Sequence, residues 1–264
     1  MVSTPSSSPT GTQSISRAIA VLRSVAALPR GKASLTAVVR MTGLTRTTAF
    51  RLLQGLVEER MLAFDADGRS YHIGRLAIEL GLSGGDFNSI ALPWREQIHR
   101  LSQQTNLTAH LVARSGSDVV CLEYFQAETV LRAVPLLPGQ RLPLGIGAGS
   151  LAILASLPDA DIDAVLSANR AQMNTLPSRR ITDVEMWRRV EETRRHGYSY
   201  SAQTVAKGAV GIGMVLPSDG GVIELAVSLS KVGDKLDARE QAELVTIMRK
   251  VLLAEGVAKA RITA

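Results

Sequence analysis

The chain reads as an α+β protein in two parts, on three observations. From Ser14 to Val57 apolar residues recur at helical spacing in three short segments, and one alternating hairpin follows them. Beyond about residue 85, period-two runs return between longer amphipathic segments, and the helices stand apart from the strands instead of alternating with them as parallel βαβ units would. Charge divides the chain at the same place: residues 1–85 hold 10 Lys/Arg against 5 Asp/Glu, whereas the remainder holds 20 against 19.

Residues 1–13, "MVSTPSSSPTGTQ", are too polar to bury a core and are expected to form a disordered tail. In "SISRAIAVLRSVAAL" the residues Ile15, Ile19, Leu22 and Val25 or Ala26 share one helical stripe, which Pro29 and Gly31 end. "SLTAVVRMTG" sets Leu35, Val38 and Val39 at i, i+3 and i+4 and closes on Gly43. Thr45 then N-caps a third helix, with Ala49, Leu52, Leu53, Leu56 and Val57 on its apolar side. "MLAFDADGRSYHIG" alternates about an Asp67-Gly68 turn, so that Leu62 and Phe64 pair across it with Tyr71 and Ile73. Three helices with a tight Gly turn between the second and third, followed by a hairpin, describe a winged helix-turn-helix over residues 14–75. "GRLAIELGLSGGDFN" continues with a stripe of Leu76 and Leu80 into a cluster of glycines, which gives a linker helix over residues 76–88 and a boundary near residue 85.

The second domain, residues 89–264, opens with the amphipathic "LPWREQIHRLSQQT". Strands are expected at Ala109 to Ala113, Val119 to Phe125, Thr129 to Val134, Tyr198 to Ser201, Val210 to Leu216 and Val222 to Ser230, with "PSDGG" turning between the last two. Helices are expected at about 149–157 and 159–168. A further one starts at a capping box from Thr182 to Glu185 and stops at Gly197, and a last one runs from the capping pair Asp237 and Glu240 to about Ala258.

No acidic residue precedes Glu58, although Arg17, Arg23, Arg30, Lys32, Arg40, Arg46 and Arg51 all do, so this end of the chain should attract a polyanion. The third helix shows which one. Thr45, Arg46, Thr47, Thr48 and Arg51 crowd its first turns with hydroxyls and guanidinium groups. On a recognition helix in the major groove, those residues meet base edges: Arg bonds guanine bidentately, and Thr donates, accepts or touches a thymine methyl. The expected partner is therefore double-stranded DNA. Arg17, Lys32 and Arg40 read as phosphate contacts or as plain solvated charges, and Arg69, on the hairpin, as a phosphate or minor-groove contact or as a solvated turn residue.

Other chemistries fit poorly. "GLSGG" at residues 81–85 has the spacing of a nucleophile elbow, but a helix precedes Ser83 where that elbow needs a strand. His72, His99, His110 and His196 have no metal-ligand spacing, and Cys121 is the sole cysteine, so no metal, no cofactor and no intrachain disulfide is expected. No apolar run approaches the roughly 18 residues of a membrane span, and the opening residues lack a signal-peptide pattern, so a soluble, cytoplasmic protein is expected. "GIGAGS" at residues 145–150 lacks the third glycine of a dinucleotide loop. It reads either as a Gly-rich entry to a helix, whose free N–H groups suit a small carboxylate, or as a tight turn with a C-cap.

"SISRAIAVLRSVA", "LTAVVRMTGLTRTTAFRLLQGLVEERML", "RSYHIG" with "LAIELG", "PGQRLPLGIGAGSLAILA" and "RRHGYSYSAQTVAKGAVGIGMVLPSDGGVIELAVSLS", in that order over about residues 14–260, resemble the IclR family of bacterial transcription regulators. The resemblance implies a C-terminal GAF-like effector-binding domain behind the winged helix-turn-helix and its linker helix. It also implies a homodimer, or a homotetramer built as a dimer of dimers, on near-palindromic operator DNA. The family's effector pocket falls on Leu144, Gly147, Ala148, Gly149, Ser201, Gly211, Ser228 and Ser230. Members that take very small oxo-acids often carry Asp and Cys where this chain has Ser201 and Gly211. Losing a charge and a thiol enlarges the cavity, so the expected effector is a larger organic acid, an aromatic carboxylate such as a hydroxybenzoate, acting on a repressor.

Overall fold

A computed structural model of the chain describes residues 12–28, 31–83, 87–126, 136–174, 181–217 and 224–253, the side chains of residues 87–89 and 253 excepted. The chain divides into two compact units, one ending at Phe87 and the other beginning at Asn88.

The first unit holds α1 (Gln13–Ala27), α2 (Leu35–Thr42), α3 (Arg46–Glu58), β1 (Leu62–Asp65), β2 (Ser70–Ile73) and α4 (Arg75–Ser83). Its core joins Val21 and Val25 of α1, Val38 of α2, Leu53 of α3, Leu62 and Tyr71 of the hairpin, and Ala33. Gly43 ends α2 in the left-handed region, at φ 67°, which only glycine enters at no steric cost. The chain then turns within three residues into α3, whose cap Thr45 accepts a hydrogen bond from the Thr48 N–H. The hairpin pairs Leu62 with Ile73 and Phe64 with Tyr71, and the Tyr71 N–H donates to Ala33 O at 2.9 Å, tying the wing to the turn before α2. The turn itself is held by Asp65, whose Oδ1 accepts from the N–H groups of Asp67 and Gly68, and the residue with positive φ is Arg69 rather than Gly68.

Two expectations fail in this unit. The predicted core stripe of α1 is rotated: Ile15 and Ile19 are 65% and 42% exposed, while Val21, Ser24 and Val25 are buried. The apolar arc of this helix is wider than the core that meets it, and the inner edge of the arc, not its middle, packs inward. In α4 no residue is buried, so Leu80 of its expected stripe lies open.

The second unit is one antiparallel sheet with helices on both faces. After α5 (Phe87–Thr105) come β3 (Thr108–Ser115), β4 (Asp118–Phe125), β5 (Arg141–Pro143), α6 (Ala148–Ser156), α7 (Asp159–Met173), α8 (Asp183–His196), β6 (Ser199–Ala202), β7 (Ala209–Val215), β8 (Leu225–Val232) and α9 (Ala238–Leu253). The strand order is β5-β4-β3-β8-β7-β6. Alternation sends Ala109, Leu111, Val210, Ile212, Val227 and Leu229 to one face, where α5 and α9 cover them. Val112, Val119 and Ala226 face the other way, into the core built with α6, α7 and α8. The caps fall at the residues the sequence marks: Thr182 accepts from the Glu185 N–H, Gly197 closes α8 at φ 72°, and Asp237 and Glu240 cap each other's N–H groups.

Strand β5, three residues long, is absent from the sequence reading, and α5 begins before Leu92 and runs through Pro93. The expected strand from Thr129 to Val134, the glycines 84 and 85, most of "PSDGG", Pro29, the end of the last helix and residues 1–11 of the tail lie outside the described residues.

Candidate functional site

The first site is the outer face of α3. Ala49 and Leu53 are buried against the core, which leaves Arg46, Thr47, Phe50, Arg51 and Gln54 on the solvent side. Thr45 and Thr48 are bound up in the cap: besides accepting from the Thr48 N–H at 3.3 Å, Thr45 Oγ1 donates to Thr48 Oγ1 at 2.8 Å. Phe50, 42% exposed in the middle of this face, escaped the sequence reading because its position lies between the apolar and polar stripes. Arg17 on α1 and Arg69 in the hairpin turn are both exposed. Most of the described cations of this unit are unpaired. Among the described residues Arg17, Arg23, Lys32, Arg40, Arg46, Arg51, Arg60 and Arg69 make no ion pair, and only Arg75 does, with Glu79 at 3.8 Å. In the second unit Arg95, Arg100, Arg114, Arg141, Arg170, Arg188, Arg194, Lys231 and Arg239 are paired, while Arg195, Lys207, Lys235, Arg249 and Lys250 make no ion pair among the described residues. Unpaired positive charge on a stretch with no acid before Glu58 is a surface suited to phosphates.

The second site follows from strand register. On the α6 side of the sheet one row runs Ser201, Gly211, Ser230 and Thr108 across β6, β7, β8 and β3, and the adjacent row runs Ser199, Gly213, Ser228 and His110. The second row receives the start of α6. A Cβ on Gly213 would stand 2.6 Å from the Ala148 carbonyl carbon, and Ser199 Oγ donates to Ala148 O at 2.6 Å. Beside the helix end, over Ser201, Gly211 and Ser230 of the first row and Ser228 and His110 of the second, lies a cavity of about 80 Å³. One water needs roughly 10–15 Å³ by the same measure, so there is space for a small organic molecule.

The glycine loop before α6 is held from both sides. Ser150 Oγ accepts from the Gly145 N–H at 2.8 Å and donates to Pro143 O, while the Gly147 N–H donates to Thr204 Oγ1 at 3.3 Å. Thr204 in turn shares a hydrogen bond with Ser201. A strand, not a helix, leads into this loop, so "GIGAGS" is the entry to α6 rather than a C-cap. No side chain caps the first turn of α6. The positive end of the helix is thus left without a side-chain cap, and Gly147, Ala148, Gly149 and Ser150 of this end line the cavity.

Of the eight expected pocket residues, Gly147, Ala148, Gly149, Ser201, Gly211, Ser228 and Ser230 line this cavity. Leu144 does not: it is fully buried in the core under α6 and α8. The walls add Val112, Val119, Leu136, Leu142, Ile146 and Val205, and no Asp, Glu, Lys or Arg lines the cavity among the described residues. His110, which has no motif around it in the sequence to mark it, stands on the floor beside Ser228. Burial pushes its pKa down to about 4, so it is neutral at pH 7. Cys121 is buried and its thiol is pushed up to about 12, which leaves it un-ionised. Ser83 sits in the last turn of α4 and donates to Glu79 O.

Residues 83–254 match the family model described as bacterial transcriptional regulator IclR C-terminal, and residues 14–66 match the IclR helix-turn-helix domain. Among curated relatives, the HTH-type transcriptional regulator TtgV of Pseudomonas putida is 25% identical over 92% of this chain and 88% of its own. The HTH-type transcriptional repressor AllR of Klebsiella pneumoniae is 26% identical over 86% of this chain and 82% of its own. Among solved structures, an IclR-type transcriptional regulator from Alicyclobacillus acidocaldarius has a TM-score of 0.69 at 23% identity, over 94% of this chain and 97% of that one. An IclR homolog from Microbacterium hydrocarbonoxydans complexed with 4-hydroxybenzoate has a TM-score of 0.64 at 21% identity, over 92% and 100%. At these identities the structural likenesses speak for the fold.

Proposed function

The chain belongs to the IclR family of bacterial transcriptional regulators, and from that premise we propose that it is a repressor whose hold on its operator is set by an aromatic carboxylate. The family's helix-turn-helix binds DNA and its C-terminal domain binds small-molecule effectors. The finer reading rests on the cavity. Its walls are apolar, its floor carries serine hydroxyls, and it opens on an uncapped helix N-terminus with no charged side chain in the described lining. Apolar walls favour a ring, the helix end favours a carboxylate, and the hydroxyls supply hydrogen bonds without adding a charge. The 4-hydroxybenzoate held by the Microbacterium relative makes that acid the natural first probe.

On the DNA side, the reading assigns base contacts to Arg46, Thr47 and Arg51, with Thr45 and Thr48 shaping the helix entry, and phosphate contacts to Arg17 and Arg69. The near-palindromic operator and the homodimer or tetramer belong to the same reading. The open apolar residues Ile78, Leu80 and Leu82 of α4 support it, as a surface that a second copy would cover. Binding to a chromosome places the protein in the cytoplasm. Effector binding must discriminate between DNA-competent and incompetent arrangements, with couplings of about 1–3 kcal/mol in typical cases.

Two measurements test the proposal. A mobility-shift titration against the region upstream of its gene should show affinity that falls steeply with salt. A thermal-shift panel should show stabilisation by benzoate and 4-hydroxybenzoate, worth about 2.7 kcal/mol at a hundredfold excess over Kd. Stabilisation by pyruvate or glyoxylate in place of the aromatic acids would contradict the effector class.

A further inference from the structure

The cavity contains one polar atom that the folded chain leaves unused. His110 is 7% exposed, and its Nε2 has no hydrogen-bond partner among the described residues. Unpaired buried polar atoms are rare because each forfeits its bond to water without replacement, so one on a residue that lines a cavity points to a missing partner. His110 lies opposite Ser228 in the β3–β8 register, and a Cβ on Gly149 would stand 3.3 Å from Ser228 Oγ. The imidazole, the serine hydroxyl and the first turn of α6 therefore converge on one end of the cavity.

We propose that His110 is an effector-contacting residue: its Nε2 binds the carboxylate of an organic acid seated at the α6 N-terminus, and the ring takes up a solvent proton as the acid binds. The inference rests on the acid-effector reading above. His110 is the only residue of the described lining whose side chain can become a cation. The groups around it supply no charge of their own. From β4, the Tyr124 ring stacks on it at 6.2 Å, and Cys121, beside Val112, holds its proton. From β8 it faces Ser228, and α6, "AGSLAILAS", has no titratable side chain. Glu123 pairs in register with Leu111, on the other face, and is bound to Arg95. An incoming carboxylate thus brings the sole formal charge, and an opposite charge in a dry site favours the protonated ring.

The test uses the full chain, with benzoate and 4-hydroxybenzoate as probes at pH 7.5 and 5.5, where both carboxyl groups stay ionised. Wild-type affinity is expected to tighten several-fold at the lower pH. His110→Gln, which keeps a hydrogen-bond donor but cannot titrate, should bind within a few-fold of wild type at pH 7.5 and lose the tightening. His110→Leu should melt about 2–4 °C higher without ligand, because an orphaned polar atom is gone, and should lose the probe-induced shift. A wild-type pH profile preserved in His110→Gln overturns the inference alone, as does undiminished probe binding by His110→Leu. If His110→Leu fails to fold, the Gln profile decides. A wild-type protein that neither acid stabilises at either pH overturns the acid-effector reading and this inference with it.

Discussion

Replacing Gly213 by alanine should dislodge the end of α6 from the sheet. The backbone of Gly213 is not in the left-handed region, so alanine meets no conformational penalty there; space alone is at issue. Its Cβ would lie 2.6 Å from the Ala148 carbonyl carbon, 2.7 Å from Ala148 O and 2.7 Å from the Gly149 nitrogen. All three are backbone atoms, so no side chain can rotate away. Restoring ordinary carbon contact at roughly 3.5 Å requires a separation of about 0.9 Å between helix and strand. That movement stretches the bond from Ser199 Oγ to Ala148 O, now 2.6 Å, to the limit of a hydrogen bond. Overpacking costs about 1–3 kcal/mol and the lost bond about 1 kcal/mol, giving roughly 2–4 kcal/mol in total. For a unit of this size the melting temperature should fall by roughly 5–15 °C. Because the same turn lines the cavity, stabilisation by 4-hydroxybenzoate should weaken too. Gly55→Ala is the control: it lies in a helix with nothing within 4 Å of the added carbon, and should stabilise by about 0.5–1 kcal/mol. Thermal and urea melts of the two variants decide the matter. A Gly213→Ala protein melting within a degree of wild type, with its ligand response intact, would refute the close approach on which the site's geometry depends.

Other expectations can be checked in parallel. Arg46→Ala should weaken operator binding by about 1–3 kcal/mol if Arg46 reads a guanine, and Arg17→Ala should lower the slope of log affinity against log salt by about 1 across all sequences, both by mobility shift. Stability should be full above pH 6.5 and decline as pH falls to about 4, because the unfolded chain protonates His110 over that range and the folded one resists. The full loss is roughly 3 kcal/mol, and urea unfolding of His110→Gln should lack this component. Ile78→Glu with Leu82→Glu, at open positions one turn apart on α4, should lower the oligomeric mass seen by light scattering while each unit keeps its helical content.

Local signals carried most of the fold. The caps at Thr45, Thr182 and Asp237, the left-handed stops at Gly43 and Gly197, and the hairpin register depend on neighbours within a few residues, and they are legible for that reason. What stayed hidden depends on distant partners. Ile15 and Ile19 lie at helical spacing like core residues, but whether that arc meets anything is decided by where α2 and α3 end up. Strand β5 has three residues, too few to show a period, and exists because it pairs with β4. Leu144 sits next to the glycine loop in sequence, yet the turn sends it into the core instead of the cavity.

The cavity stands between these cases, because its floor has a period that only strand register can interpret. Along β6, β7 and β8, Ser199, Ser201, Gly211, Gly213, Ser228 and Ser230 alternate with Tyr200, Val210, Ile212, Val227 and Leu229. The large residues build the core under α5 and α9, and the small ones leave the opposite face low. Two functions are divided among the small residues by one step of register. The row through Gly213 is low enough for a helix backbone to rest on it, while the row through Gly211, one pleat along, meets only the Ala148 side chain of the helix and lines the cavity. His110 belongs to the row on which the helix rests, but on β3, opposite Ser228, and it lines the cavity with its Nε2 unpaired. The period along each strand was visible in the sequence. Which strand lies beside which was not, and that adjacency is what joins a serine pair, a glycine loop and a lone histidine into one site.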